Sequence, residues 1–172
     1  EHRWLHNVSD NVPEGMFRVP IGRASIARAG ADVTIAAVSY MTLEALRAAE
    51  VLAGRGIGVE VIDMRTVHPF DLDAVVRSVR KTGRLIVADT GVRSFGAASE
   101  IEASVVKEAF SALKAAPVRV ASPDLPSPTS PSLSEHYYPR ALDIGRVVGR
   151  LMGVEIGEGE FPKPLTPPDV PD

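Results

Sequence analysis

Four short apolar runs separated by amphipathic stretches constrain this chain more than any single residue does. The runs are "VTIAAV" (33–38), "VEVIDM" (59–64), "RLIVAD" (84–89) and "VRVASP" (118–123). Runs this short, rich in β-branched residues and bounded by polar ones, are buried strands. Between them, "TLEALRAAEVLAGRG" (42–56) places Leu43, Leu46, Ala49, Glu50 and Leu52 at near-helical spacing, with Gly54 and Gly56 as the stop. Asp71 caps "LDAVVRSVRKTG" (72–83), in which Val75, Val76 and Val79 share one face and Gly83 closes the helix. A third helix is expected from about Ala97 to Ala115. After a Pro/Ser-rich loop (123–134), "PRALDIGRVVGRLMG" (139–153) makes a last helix with Pro139 in its first turn. Strand and helix alternating through short links means parallel strands, right-handed crossovers and helices on both faces. The fold class is α/β, a three-layer α/β/α sandwich. "ASIARAG" (24–30) alternates more strictly and reads as an extra edge strand.

With 172 residues there is enough chain for one domain with a real core. A hydrophobic content of 45% against 24% charged residues is that of a globular protein. A formal net charge of -3 with scattered Lys and Arg leaves no basic field for nucleic acid. No apolar run reaches the roughly 18 residues of a membrane span. Without cysteine there is no disulfide framework, thiolate zinc site or Cys nucleophile. A cytoplasmic location is expected. The chain opens on Glu1 without a signal peptide, so it is expected to be a processed product or an excised piece. Gly15 to Pro20 reads as a linker, "EHRWLHN" before it has no obvious local partner, and 154–172 reads as an extended, proline-rich, acidic tail on a surface.

In open parallel sheets ligands sit beyond the carboxyl ends of the strands. Four loops meet there: Ser39–Thr42, Arg65–Asp71, Asp89–Gly96 and Ser122–Ser134. The second carries Arg65 and His68 at the end of "VIDM", which makes them the anion-binding candidates. An Arg in that position must pair with something, and an internal carboxylate such as Asp63 or Asp89 competes with a ligand. "GVRSFG" (91–96) has the glycine spacing of a P-loop, but Ala97 and Ala98 stand where the Lys and hydroxyl are needed. His2 and His6 lack the Glu of a zinc protease, and a capping or surface role is the plainer reading. His136, beside Tyr137 and Tyr138, is more simply part of an aromatic anchor, and Asp89 a turn cap. The residues assemble no catalytic set and no metal site.

Three segments nevertheless carry a resemblance: "VPIGRA" (19–24), "VIDMRTVHPFD" (61–71) and "RLIVADTG" (84–91). They resemble the carboxyl-terminal domain of transketolase-like enzymes, and most closely the beta subunit of thiamine-diphosphate-dependent 2-oxo acid dehydrogenases of the pyruvate or branched-chain type. The resemblance covers roughly 13 to 153, and "PDLPSPTSPSLSEHYYP" (123–139) and the terminal "DVPD" (169–172) also look like that family's. It implies a five-stranded, mostly parallel sheet with one antiparallel edge strand. It divides the chain into the end of an upstream domain plus linker (1–18), the domain itself (19–153) and the tail (154–172).

The resemblance implies further that thiamine diphosphate and magnesium belong to the parent enzyme and not to this chain, which lacks the G-D-G motif and the activating Glu. The chain alone is therefore expected to be inactive, with a dimer-building role at the edge of the substrate channel. Its implied partners are further copies, an alpha subunit and a lipoyl acyltransferase core. Arg65 matches the Arg that faces the substrate's anionic group in related sugar-phosphate synthases, and His68 a position often held by Lys or Arg; in the dehydrogenase beta subunits the resemblance gives the same loop a role at the subunit interface and the approach to the active-site channel. The implied dimer role calls for a partner surface, for which the sequence offers the Gly91–Phe95 loop, with Phe95 foremost, the helix bearing Ile101, Val105 and Val106, and the "HYYP" turn with His136 and Tyr137. A ketose-transferring parent and an autonomous protein-interaction module stay open as alternatives.

Overall fold

The computed structural model describes residues 3–161. All five residues of the central strand β2 (Val33–Ala37) are buried, as a nearly continuous apolar run requires when both faces of a sheet are covered. β3 (Val59–Asp63) and β4 (Leu85–Val92) flank it in parallel, and β5 (Val118–Ser122) lies parallel beyond β4. β1 (Ser25–Arg28) closes the opposite edge antiparallel to β3, giving the order β1-β3-β2-β4-β5. The extra strand is thus present, shorter than 24–30, with a bulge between Ile26 and Arg28.

Because successive strand side chains point to opposite faces, the sheet builds two apolar layers. Ile35, Val61 and Ile86 meet α1 (Met41–Ala53) and α5 (Ala141–Met152) through Ala45, Leu52, Ile144 and Val148. On the other face, Ile62 and Val87 meet α2 (Leu72–Thr82) and α3 (Ala97–Ala109) through Val75, Val79, Ile101 and Val105. Each such side chain contributes about 1.5–3 kcal/mol on burial. Thr34 is the polar residue of β2. Its hydroxyl hydrogen-bonds Ser78 at 2.6 Å and Thr82 at 2.7 Å, so α2 satisfies it.

Local chemistry sets the helix ends. The Asp71 carboxylate accepts the Ala74 amide at 3.1 Å and, through its other oxygen, the Ala24 amide at 3.1 Å. Gly83 ends α2 at φ 75°, a left-handed cap that favours glycine.

Several elements differ from the sequence reading. In α1 the buried stripe is Glu44, Ala45, Ala48, Ala49 and Leu52, while Leu43 and Leu46 are half-buried and Glu50 is exposed. α3 ends at Ala109 and passes into a 3-10 turn, Phe110–Ala112, after which the Lys114 amide donates to the Gly83 carbonyl at 2.8 Å and draws the chain back to the end of α2. The end of the expected loop is a short helix, α4 (Pro131–Tyr137). The last helix starts at Ala141 rather than Pro139, because the Asp143 carboxylate accepts the Arg140 amide at 2.8 Å and caps it there.

Trp4, in a 3-10 turn spanning Arg3–Asn7, packs on residues distant in sequence: Tyr40 and Tyr138 meet it edge-on, each with ring centroids 5.1 Å away. Residues 154–161 lie against the α1/α5 layer. Phe161 sits over Gly145, where a Cβ would come within 2.3 Å of its ring, and Arg55 binds the Glu160 carboxylate through two hydrogen bonds of 2.8 and 2.6 Å. The rest of the tail, with "DVPD", and His2 lie outside the described residues.

Candidate functional site

At the carboxyl edge of the sheet three non-glycine residues adopt left-handed backbone: Ser39 at φ 53°, Arg65 at φ 55° and Phe95 at φ 60°. They follow β2, β3 and β4, three adjacent parallel strands. Each such residue costs on the order of 1 kcal/mol. Strain therefore gathers on the edge where an open α/β sheet binds its ligands or partners.

Asp63, the last residue of β3, shapes the Arg65 turn. Its carboxylate accepts the Arg65 amide at 3.1 Å and the Thr42 hydroxyl at 3.5 Å. The Arg65 side chain is exposed, and its Nε lies 3.9 Å from the same carboxylate. The internal partner is thus Asp63, held loosely by the guanidinium and firmly by the backbone. Asp89 is buried and turns instead to the Gly91 amide at 3.1 Å, a turn cap. His68 is exposed in the same loop, ahead of the cis-bonded Pro69. Residues 22–24 clamp this loop: the Gly22 amide donates to Thr66 Oγ1 at 3.1 Å, and Ala24 to Asp71. Two of the segments that carried the resemblance, "VPIGRA" and "VIDMRTVHPFD", are therefore in direct contact.

The Phe95 ring is 101% exposed. Ser94 anchors its loop, its amide and hydroxyl donating to Asp124 at 2.8 and 2.7 Å. Gly96 completes the turn, since a Cβ there would lie 2.4 Å from the Val92 carbonyl oxygen. Ile101 and Val105 are a correction. At 1% and 0% exposure they are core residues of the α2/α3 layer, because α3 turns that face onto the sheet, and they cannot meet a partner. His136 is exposed on α4; Tyr137 is half-buried and its hydroxyl donates to the Leu125 carbonyl at 2.8 Å. Both line a lateral groove of about 740 Å3 beside β5, away from Arg65 and His68.

A cluster absent from the sequence reading stands beside Trp4. Glu44, 1% exposed, accepts the Tyr40 hydroxyl at 2.8 Å and the Ala141 amide at 2.8 Å. The Arg140 guanidinium lies 4.1 Å from the centre of the Trp4 ring. Burial, reinforced by the Glu44 carboxylate, pushes the Tyr40 phenol well above its ordinary value, so it remains a donor. A glutamate on the inner face of α1 was the available signal; its partners lie too far along the chain for spacing to find them.

Among the described residues, no three His, Asp or Glu side chains converge as a metal site would require. At the carboxyl edge the Asp63 and Asp89 carboxylates are each engaged by a backbone amide, that of Arg65 and that of Gly91. Nor is any described helix long and apolar enough to cross a membrane.

A three-layer α/β/α sandwich whose five-stranded sheet has one antiparallel edge, with strain collected at the carboxyl edge, defines the class. The chain belongs to the family described as transketolase, C-terminal domain, whose model matches residues 22–144. It is 41% identical over 152 residues to the acetoin:2,6-dichlorophenolindophenol oxidoreductase subunit beta of Cupriavidus necator, covering 88% of this chain and 45% of that protein. It is 43% identical over 143 residues to the mitochondrial pyruvate dehydrogenase E1 component subunit beta-1 of Arabidopsis thaliana, covering 83% of this chain and 39% of that one. A solved structure described as a split gene transketolase, inactive beta4 tetramer, superposes with a TM-score of 0.66 at 31% identity, over 83% of this chain and 47% of that chain. The chain thus spans less than half the length of these relatives.

Proposed function

We propose that this chain is the dimer-building, channel-edge part of a beta subunit in a thiamine-diphosphate-dependent dehydrogenase acting on a 2-oxo acid or acetoin, and that it is not catalytic alone. The observation that carries this is the 41% identity over 152 residues to an oxidoreductase subunit beta. In the parent enzyme, thiamine diphosphate with magnesium, held by other domains, supplies the electron sink for carbon–carbon cleavage. This chain's part is electrostatic and architectural. Arg65 presents positive charge to an anionic group at the channel edge, His68 stands in the same loop, and Asp63 sets the direction of Arg65 through its amide. Phe95, His136 and Tyr137 serve contacts with other subunits, which in a dehydrogenase include an alpha subunit and a lipoyl acyltransferase core. Residues 1–18 would be the end of an upstream domain with its linker, 19–153 the domain itself and 154–172 the tail. A cytoplasmic location belongs to the same proposal.

A ketose-transferring parent is the second reading, supported by the likeness to a split gene transketolase. An autonomous interaction module is the third. Calorimetric titration of the purified chain with thiamine diphosphate and magnesium tests the division of labour. No saturable heat is expected; a micromolar, magnesium-dependent site would overturn it. Arg65→Ala in the complete enzyme, assayed against a 2-oxo acid, acetoin and a ketose phosphate, separates the first two readings by which substrate loses turnover.

A further inference from the structure

We propose that Trp4 is a latch: its ring fills an aromatic box made by Tyr40, Tyr138 and Arg140, and so holds α4 against the domain. Displacement of residues 3–7 then loosens the α4 face. The inference rests on contacts within this chain and does not depend on the parent reaction.

The box has one rigid wall and one weak wall. Tyr40 is 1% exposed, and its hydroxyl is held by the Glu44 carboxylate, which also holds the first amide of α5. Arg140 adds its guanidinium 4.1 Å from the centre of the Trp4 ring and a 3.4 Å hydrogen bond to the Tyr40 hydroxyl. Tyr138 supplies the other wall. It ends α4, a helix of seven residues with no side-chain cap at Ser130 and no buried residue among those described. A helix that short is unstable by itself, so its order comes from contacts outside it. Within its own segment Tyr138 bonds Ser127 at 2.8 Å and meets the Tyr137 ring edge-on. Trp4 meets Tyr40 and Tyr138 edge-on, at interplanar angles of 75° and 73°. One ring thus ties the exposed helix to the buried wall.

Contacts, and not the path of the chain, keep Trp4 in this seat. Residues 8–21 are exposed throughout, up to Gly22, whose amide donates to Thr66. Residues 3–7 therefore reach the box at the end of a long exposed tether, which permits release while the ring resists it. Because α4 carries His136 and Tyr137 into the groove beside β5, opening the latch alters that face and leaves the core in place.

Trp4 is the single tryptophan of the chain, so its fluorescence reports the box directly. In the full chain its emission should lie to the blue of N-acetyltryptophanamide, and Tyr138→Ala should shift it to the red. In α4 the Leu133, Ser134 and Tyr138 amides are hydrogen-bonded. Trp4→Ala should speed hydrogen exchange there by about tenfold, the local opening of a marginal helix, with exchange in α1 and α5 and the urea midpoint unchanged. Trp4→Phe keeps a ring for the edge-on contacts and should hold exchange within about threefold of the parent. Unchanged exchange across 133–138 in Trp4→Ala would overturn the proposal, and so would the emission of a fully solvated indole in the parent chain. Faster exchange throughout, with a lower urea midpoint, would make Trp4 an ordinary packing residue and overturn the latch. Equal effects of the phenylalanine and alanine variants would remove the ring contacts as the cause and overturn it as well.

Discussion

Glu44 in α1 holds the first residue of α5: its Oε2 accepts the Ala141 amide at 2.8 Å while its Oε1 accepts the Tyr40 hydroxyl at 2.8 Å. One buried carboxylate thus joins the end of β2 to a helix that begins ninety-seven residues later. Glu44→Ala strands both donors and empties a buried site, so a loss of about 3 kcal/mol in urea unfolding is expected. Glu44→Gln keeps one acceptor and should lose less. A loss under about 0.5 kcal/mol for the alanine variant would mean that water replaces the carboxylate at little cost.

Phe95 combines full exposure with a φ of 60°. It contributes little to folding and stores strain, so Phe95→Gly should leave the domain as stable or raise stability by up to about 1 kcal/mol. If the loop serves a subunit contact, sedimentation of the chain should show concentration-dependent association that Phe95→Asp weakens. A strictly monomeric chain at high concentration, unaffected by either change, would leave the ring without that role.

Arg65 should be nearly silent in stability. The 3.9 Å approach of its guanidinium to Asp63 is long and solvent-exposed, and such pairs contribute about 0–1 kcal/mol. Arg65→Ala should keep the unfolding midpoint within about 0.5 kcal/mol of the parent. A loss of several kcal/mol would make the ion pair structural and remove the argument for an anion-facing residue.

Acid should weaken the fold partly through Glu60. Burial opposes its ionisation, yet hydrogen bonds from Lys81, Ser78 and the Gly30 amide outweigh burial and hold its pKa below the 4.5 of an unperturbed glutamate. A carboxyl lowered in the folded state contributes stability that is fully present above 4.5 and is lost as pH falls through the folded value. Thermal midpoints should therefore be flat near neutrality and decline below about pH 4.5. Glu60→Gln should lower the neutral plateau and flatten the acid limb. An unchanged limb would shift the effect to surface carboxylates such as Glu160, lowered by Arg55.

Much of the architecture was determined by the sequence alone, because its signals act over one or two turns. Runs such as "VTIAAV" and "RLIVAD" are apolar on both faces and can only be covered strands. Asp71 and Gly83 punctuate α2 through their own hydrogen bond and left-handed φ. Parallel direction then places Arg65 and His68 at the carboxyl edge without any knowledge of contacts. Tertiary structure alone decided which face of α3 turned inward. α3 carries apolar residues on more than one side, and only docking on α2 and the sheet buried Ile101 and Val105. Glu44, a charge within an apolar stripe, reads as an error until Tyr40 and the Ala141 amide close around it. Likewise the groove beside β5 draws its lining from β5, α4 and α5, segments separated along the chain. Such features depend on segments distant in sequence meeting at one place, and that meeting is set by closure of the whole core rather than by any local preference.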